Sequence, residues 1–171
     1  MGAGHLETDG SIQNVFQVPA GSKNNWSRAI NGSLEPNAAY KLDNGYVYVT
    51  DTAGRVKGVE GELSLSKMDR NAHQQCVVGK CGNAGDEGGH LIAASLGGAG
   101  DRINLVPQAS TLNRGDWKAM ENHLRRAIDN GQSVSVKIDL SYPSSGGSRP
   151  NRFQVTPIID GKPRPPIIFN Q

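Results

Sequence analysis

The sequence predicts an α+β fold built on an antiparallel sheet, and three observations point there. Alternating apolar runs flank Asn44-Gly45, and others flank Asp160-Gly161-Lys162, which are hairpin signatures. One long segment, Asn113 to Asn130, carries its apolar residues at helical rather than strand spacing. The order strands, loop, helix, strands lacks the regular strand–helix alternation that builds parallel sheets.

Each element has a local reason. Residues 1–33 are rich in Gly, Ser and Asn, with few apolar positions beyond Val15-Phe16, Val18 and Trp26. They read as a lead-in or linker, or part of an entry region, with a short helix near Trp26, to a domain spanning 34–171. The opening Met1-Gly2-Ala3-Gly4 reads as a start added to a piece of a longer chain. "YKLDNGYVYVTD" (40–51) is a hairpin about Asn44-Gly45, and "GRVKGVEGELSL" (54–65) adds a strand after a glycine turn. Residues 66–89 read as a loop holding five glycines and both cysteines. In "NRGDWKAMENHLRRAIDN" (113–130), Trp117, Met120, Leu124, Ala127 and Ile128 share one helical face, so this is the main core helix. Gly131 stops it, and Gly115 in the first turn costs little. "SVSVKIDLSY" (133–142) alternates strictly, and "RFQVTPIID" with "PIIFNQ" closes the chain as a hairpin. Pro157, which has no N–H to donate, marks an edge strand there.

The totals bound the function. A chain of 171 residues suits one domain, which buries roughly 70% of its unfolded surface without needing a disulfide scaffold. The net charge is only +2, but +3 of charge sits in the last 31 residues, a weak pull toward a polyanion. No segment approaches the roughly 20 apolar residues of a membrane span. The N-terminus has neither a signal-peptide layout nor the myristoylation pattern, because Leu6 stands where Ser or Thr belongs.

The chemistry concentrates around "GDEGGHLIAASLGG" (85–98). His90 sits between a glycine pair and an apolar run, hence at the boundary of wet surface and core. Asn113 is expected at the helix start with Glu121 eight residues on, roughly 12 Å along the axis and some 80° around it. Arg125, one turn further, can meet Glu121 at i,i+4. Taken singly, each has an ordinary structural reading. Asn113 can cap a helix, Glu121 and Arg125 can form a surface ion pair contributing under about 1 kcal/mol, and His90 can be a turn histidine.

Together they say more. "DEGGHLIAASLGGAGDRINLVPQASTLNRGDWKAME" resembles the DNA/RNA non-specific endonuclease family of His-Me finger, or ββα-metal, nucleases. The likeness is nearest to the branch of C-terminal toxin domains of bacterial contact-dependent and other polymorphic toxins. It is clearest over 86–125 and looser from about 34 to 171. The resemblance implies a ββα-metal motif and a sequence-nonspecific cleavage of DNA, with RNA as a further candidate substrate, that depends on Mg²⁺, or Mn²⁺ or another divalent ion. It implies His90 as general base, Asn113 as the metal ligand and Glu121 as the acid that orders water at the metal. Asn104 matches a second active-site asparagine, and Arg125 an arginine that assists phosphate or leaving-group binding. It also implies a secreted protein delivered from its producer into a target-cell cytoplasm, and a cognate immunity protein. One departure stands out: Gly88 occupies the place of the motif's arginine. Arg70, Arg102 and Arg114 are the candidates to replace that cation.

An alternative uses His73, Cys76, Cys81 and His90 as a zinc cluster in a nucleic-acid-binding module without catalysis. It removes the base and has a Cys-x4-Cys spacing at the edge of the usual range. The two cysteines are otherwise expected as thiols or as one local disulfide.

Overall fold

The computed structural model describes residues 12–171. Among these, eight strands form one sheet in the order β1 (Asn14–Val18), β2 (Ala38–Leu42), β3 (Val47–Thr50), β4 (Val56–Glu62), β7 (Val134–Ser141), β8 (Arg152–Ile159) and β10 (Ile167–Asn170). The short β9 (Lys162–Pro163) also pairs with β8. Every pairing is antiparallel except that of β1 with β2. A separate antiparallel hairpin joins β5 (Asp86–His90) to β6 (Leu105–Ala109).

The hairpins form where turn chemistry demands them. Gly45 takes φ +94° after β2, a conformation cheap only for glycine. Asp160 and Gly161 both adopt positive φ between β8 and β9, as a two-residue turn matched to strand twist requires. Pro157 does not mark an edge. β8 pairs with β7 along its length, and its other side is shared by β10 at 152–155 and β9 at 158–159. Pro157 falls in the gap between those partners, where its carbonyl accepts the Arg164 N–H at 2.8 Å.

Among the described residues, three α-helices complete the fold: α1 (Ala72–Lys80), α2 (Ser110–Arg114) and α3 (Asp116–Asp129). The continuous helix expected from Asn113 is broken at Gly115, whose φ and ψ are both −106°. Asn113 therefore lies at the end of α2 rather than the start of α3, and the spacing derived for one straight helix does not apply. α3 buries Trp117, Met120, Leu124 and Ala127 against the alternating inward residues of β7 and β8. Trp117 meets the rings of Phe153 and Phe169 at 5.1 Å. Gly131, at φ +83°, ends α3 by donating to the Ile128 carbonyl at 2.9 Å.

α1 occupies a stretch expected to be loop. Asn71 caps it by accepting the Gln74 N–H at 3.0 Å, but only Val78 and Gly79 of the helix are buried, so its apolar periodicity is faint. The lead-in is also more than a linker in its described part. β1 lengthens the sheet, and Ile30 is fully buried in the main core. Residues 1–11 lie outside the described residues. No described helix is long and apolar enough to cross a membrane.

Candidate active site

β5, α1 and the two helices after β6 enclose a cleft of about 940 Å³, whose lining includes His90, Asn113, Glu121 and Arg125. The glycine pair before His90 is there for close approach. A Cβ on Gly88 would collide with the Gln75 carbonyl of α1, and one on Gly89 would run into the Gln108 side chain. This explains the missing arginine of the motif: the backbone of α1 fills the space its side chain would need.

His90 ends β5 with 8% of its surface exposed, and its Nε2 has no hydrogen-bond partner. Burial, followed by the charge of Arg70, lowers its pKa to about 4. The imidazole is therefore neutral near pH 7. Asn104 holds the chain just beyond it. Its side chain accepts from the Ile92 N–H at 3.0 Å and the Tyr48 hydroxyl at 2.7 Å. It donates to the carbonyls of Ile92 at 2.7 Å and Ala99 at 2.8 Å. Asn104 is fully buried and is not among the residues that line the cleft, whereas the resemblance placed it in the active site. Its amide is spent holding the segment that follows His90.

Across the cleft, Asn113 donates from Nδ2 to Glu87 Oε1 at 2.8 Å. A carboxylate only accepts, so this bond fixes the flip of the amide and leaves Oδ1 as the free acceptor. Arg114 pairs with the other oxygen of Glu87. The Arg114 hydrogen bond, followed by that of Asn113, holds the Glu87 carboxyl below its usual range. The sequence alone assigned Glu87 no task.

Glu121, on α3, is pushed up to about 7, chiefly by burial, with the Trp117 indole and the cations Arg125, Lys118 and Arg70 opposing. Arg125 forms no ion pair with it. Its guanidinium turns instead to Ser95 Oγ at 2.7 Å. Of the three arginines weighed as replacements, Arg102 lines a different cavity, while Arg114 is engaged by Glu87. Arg70 lines the cleft, donates to Gln75 of α1 at 3.2 Å, and acts electrostatically on both His90 and Glu121.

The zinc set does not assemble. Cys76 and Cys81 are both free and exposed, and they line different cavities. Among the described residues, no group of three His, Cys, Asp or Glu side chains could hold a metal ion.

A hairpin strand ending in a buried imidazole, opposite an oriented carboxamide and a carboxylate on the helices that follow, is the arrangement of a ββα-type nuclease fold. The chain belongs to the DNA/RNA non-specific endonuclease family, whose model matches residues 36–161. It is 37% identical over 137 residues to the Type VII secretion system protein EssD of Staphylococcus aureus (strain USA300), covering 75% of this chain and 22% of that protein. It is 32% identical over 89 residues to the probable deoxyribonuclease RhsA of Dickeya dadantii (strain 3937), covering 52% of this chain and 6% of that protein. The chain thus spans a small part of either relative. The fold is shared with the magnesium-bound crystal structure of NucA from Streptococcus agalactiae, with a TM-score of 0.53 and 15% identity over 74% of this chain and 77% of that one.

Proposed function

We propose that this domain hydrolyses phosphodiester bonds of DNA, and of RNA as a second substrate, without sequence preference and with Mg²⁺ or a similar divalent ion. The observation that carries the reading is the pairing, in one cleft, of a neutral imidazole with an unshared nitrogen and a carboxamide whose oxygen is turned free. His90 takes a proton from the attacking water, a role worth about 10²–10⁴-fold. Arg70 and Arg125 bind phosphate oxygens, and contacts to phosphate rather than base edges make cutting indifferent to sequence.

The donor set fits a hard ion that keeps most of its water: one neutral amide oxygen from Asn113, with the carboxylate of Glu121 on the same cleft. When bound, Mg²⁺ supplies positive charge that stabilises the reacting phosphate. The likeness to the type VII secretion system protein EssD and to the probable deoxyribonuclease RhsA supports a secreted bacterial toxin domain delivered into a target-cell cytoplasm, with an immunity protein guarding the producer.

The test is incubation of the purified chain with supercoiled plasmid and with total RNA, in Mg²⁺ and in EDTA. Degradation in Mg²⁺ alone is expected. Intact nucleic acid in both Mg²⁺ and Mn²⁺, or cleavage undiminished by EDTA, overturns the reading.

A further inference from the structure

The segment just before the family-matched region is tied to the cleft by one buried acid. Asp101 has 0% exposure, and its carboxylate meets only N–H donors. The Gly21 N–H donates to Oδ1 at 2.7 Å, the Ser27 N–H to Oδ2 at 3.1 Å and Asn31 Nδ2 to Oδ2 at 2.6 Å. Asn31 returns a second tie by accepting the Arg102 N–H at 2.8 Å. The fit is close. A Cβ on Gly21 would lie 2.6 Å from Asp101 Oδ2, and one on Gly100 would lie 3.0 Å from the Trp26 ring.

The segments that carry His90 and Arg70 both hang from this junction. Asp101 opens the turn whose last residue is Asn104, and its carbonyl accepts the Asn104 N–H at 3.0 Å. Asn104 in turn holds Leu91 and Ile92, the residues after His90. On the other side, the Lys23 N–H donates to Asp69 at 2.8 Å, next to Arg70, and Gln74 of α1 donates to the Asn31 carbonyl at 3.4 Å. A buried carboxylate satisfied by two backbone N–H groups and a side-chain amide is costly to break, because the freed carboxylate stays buried without its bonds.

We propose that Asp101 is a positioning residue that makes residues 19–31 part of the nuclease apparatus, setting His90 through Asn104 and Arg70 through Asp69. The inference rests on the nuclease reading above. Releasing this strap leaves the sheet and α3 in place, yet lowers turnover.

The experiment uses the full chain with Asp101→Asn, in which an amide faces N–H donors, and the milder Asn31→Ala. Plasmid-cleavage kcat and KM are measured on protein whose folding is verified by thermal unfolding, and Trp26 emission reports release of the strap. The expected result is a red shift in emission and a kcat at least about 10-fold lower, with KM changed less than kcat. A kcat within twofold of the parent while emission shows the strap released overturns the proposal. If Asp101→Asn does not fold, Asn31→Ala decides by the same readings. If the parent chain itself leaves plasmid intact, the nuclease reading fails and this inference falls with it.

Discussion

On one wall of the cleft His90 is buried, neutral and unpartnered at Nε2, held by glycine contacts and by the backbone bonds of Asn104. On the other, Asn113 is half-buried, Arg114 is 77% exposed, and both are held by the carboxylate of Glu87. The first wall is positioned by packing, so volume changes should damage it. The second is positioned by charge in contact with water, so salt and conservative charge changes should tune it. This difference orders the effects expected of substitutions.

The largest effect belongs to the buried wall. His90→Ala should lower plasmid cleavage by about 10²–10⁴-fold while the thermal transition persists. Because the folded pKa is about 4, the acid limb that His90 imposes on the rate should lie near that value, not near 6.5. An acid limb near 6.5 that vanishes in the variant would show a solvated imidazole instead.

Next comes the packing behind it. Gly88→Ala places a methyl group against the Gln75 carbonyl, a backbone atom that cannot swing aside. The expected cost is about 2–3 kcal/mol, a Tm loss of about 5–10 °C for a chain of this size. An unchanged Tm would mean that α1 does not press on β5 as described.

How far the sequence foretold this arrangement also follows the division between walls. The strands of β7 and β8 were readable because strict alternation sends every second residue into one core. The apolar face of α3 was readable for the analogous helical reason. His90, Asn113, Glu121 and Arg125 were placed by a motif whose parts do meet in one cleft. α1 was not readable, since a helix that buries only Val78 and Gly79 shows no clear stripe. Gly115 was read as a cheap first-turn glycine, whereas it breaks the helix and swings Asn113 onto a separate turn. Docking of residues 12–33 was hidden because it runs through backbone N–H groups to Asp101, which composition does not record. The burial of Asn104 was hidden for a related reason: an asparagine beside a site looks the same in sequence whether it faces the cleft or bonds the chain behind it.

On the exposed wall a smaller and salt-sensitive change is expected. Glu87→Gln can offer Asn113 either an amide oxygen or an amide nitrogen, so the flip that frees Oδ1 is no longer enforced. The Mg²⁺ concentration for half-maximal cleavage should rise about 10-fold, with kcat at saturating ion recovered in large part. If kcat collapses and no added ion restores it, Glu87 acts on the reaction itself and not through Asn113.

The smallest effect concerns stability and separates binding from folding. Glu121 has a folded pKa near 7, above its ordinary value of 4.5, because burial disfavours the charge. The folded state therefore holds a proton that the unfolded chain releases between those two values. The stability this contributes is fully present below 4.5 and is lost as pH rises toward 7. Glu121→Gln cannot ionise and should escape that loss. One pKa unit is about 1.4 kcal/mol, and partial exposure together with the nearby cations should reduce the gain to about 1–2 kcal/mol. Thermal unfolding in EDTA should thus show the variant more stable than the parent at pH 8 and equal to it at pH 4, even as its cleavage activity falls. A variant less stable at pH 8 would mean that the charged carboxylate is already satisfied within the folded protein, and that the cleft does not hold it in reserve for a cation.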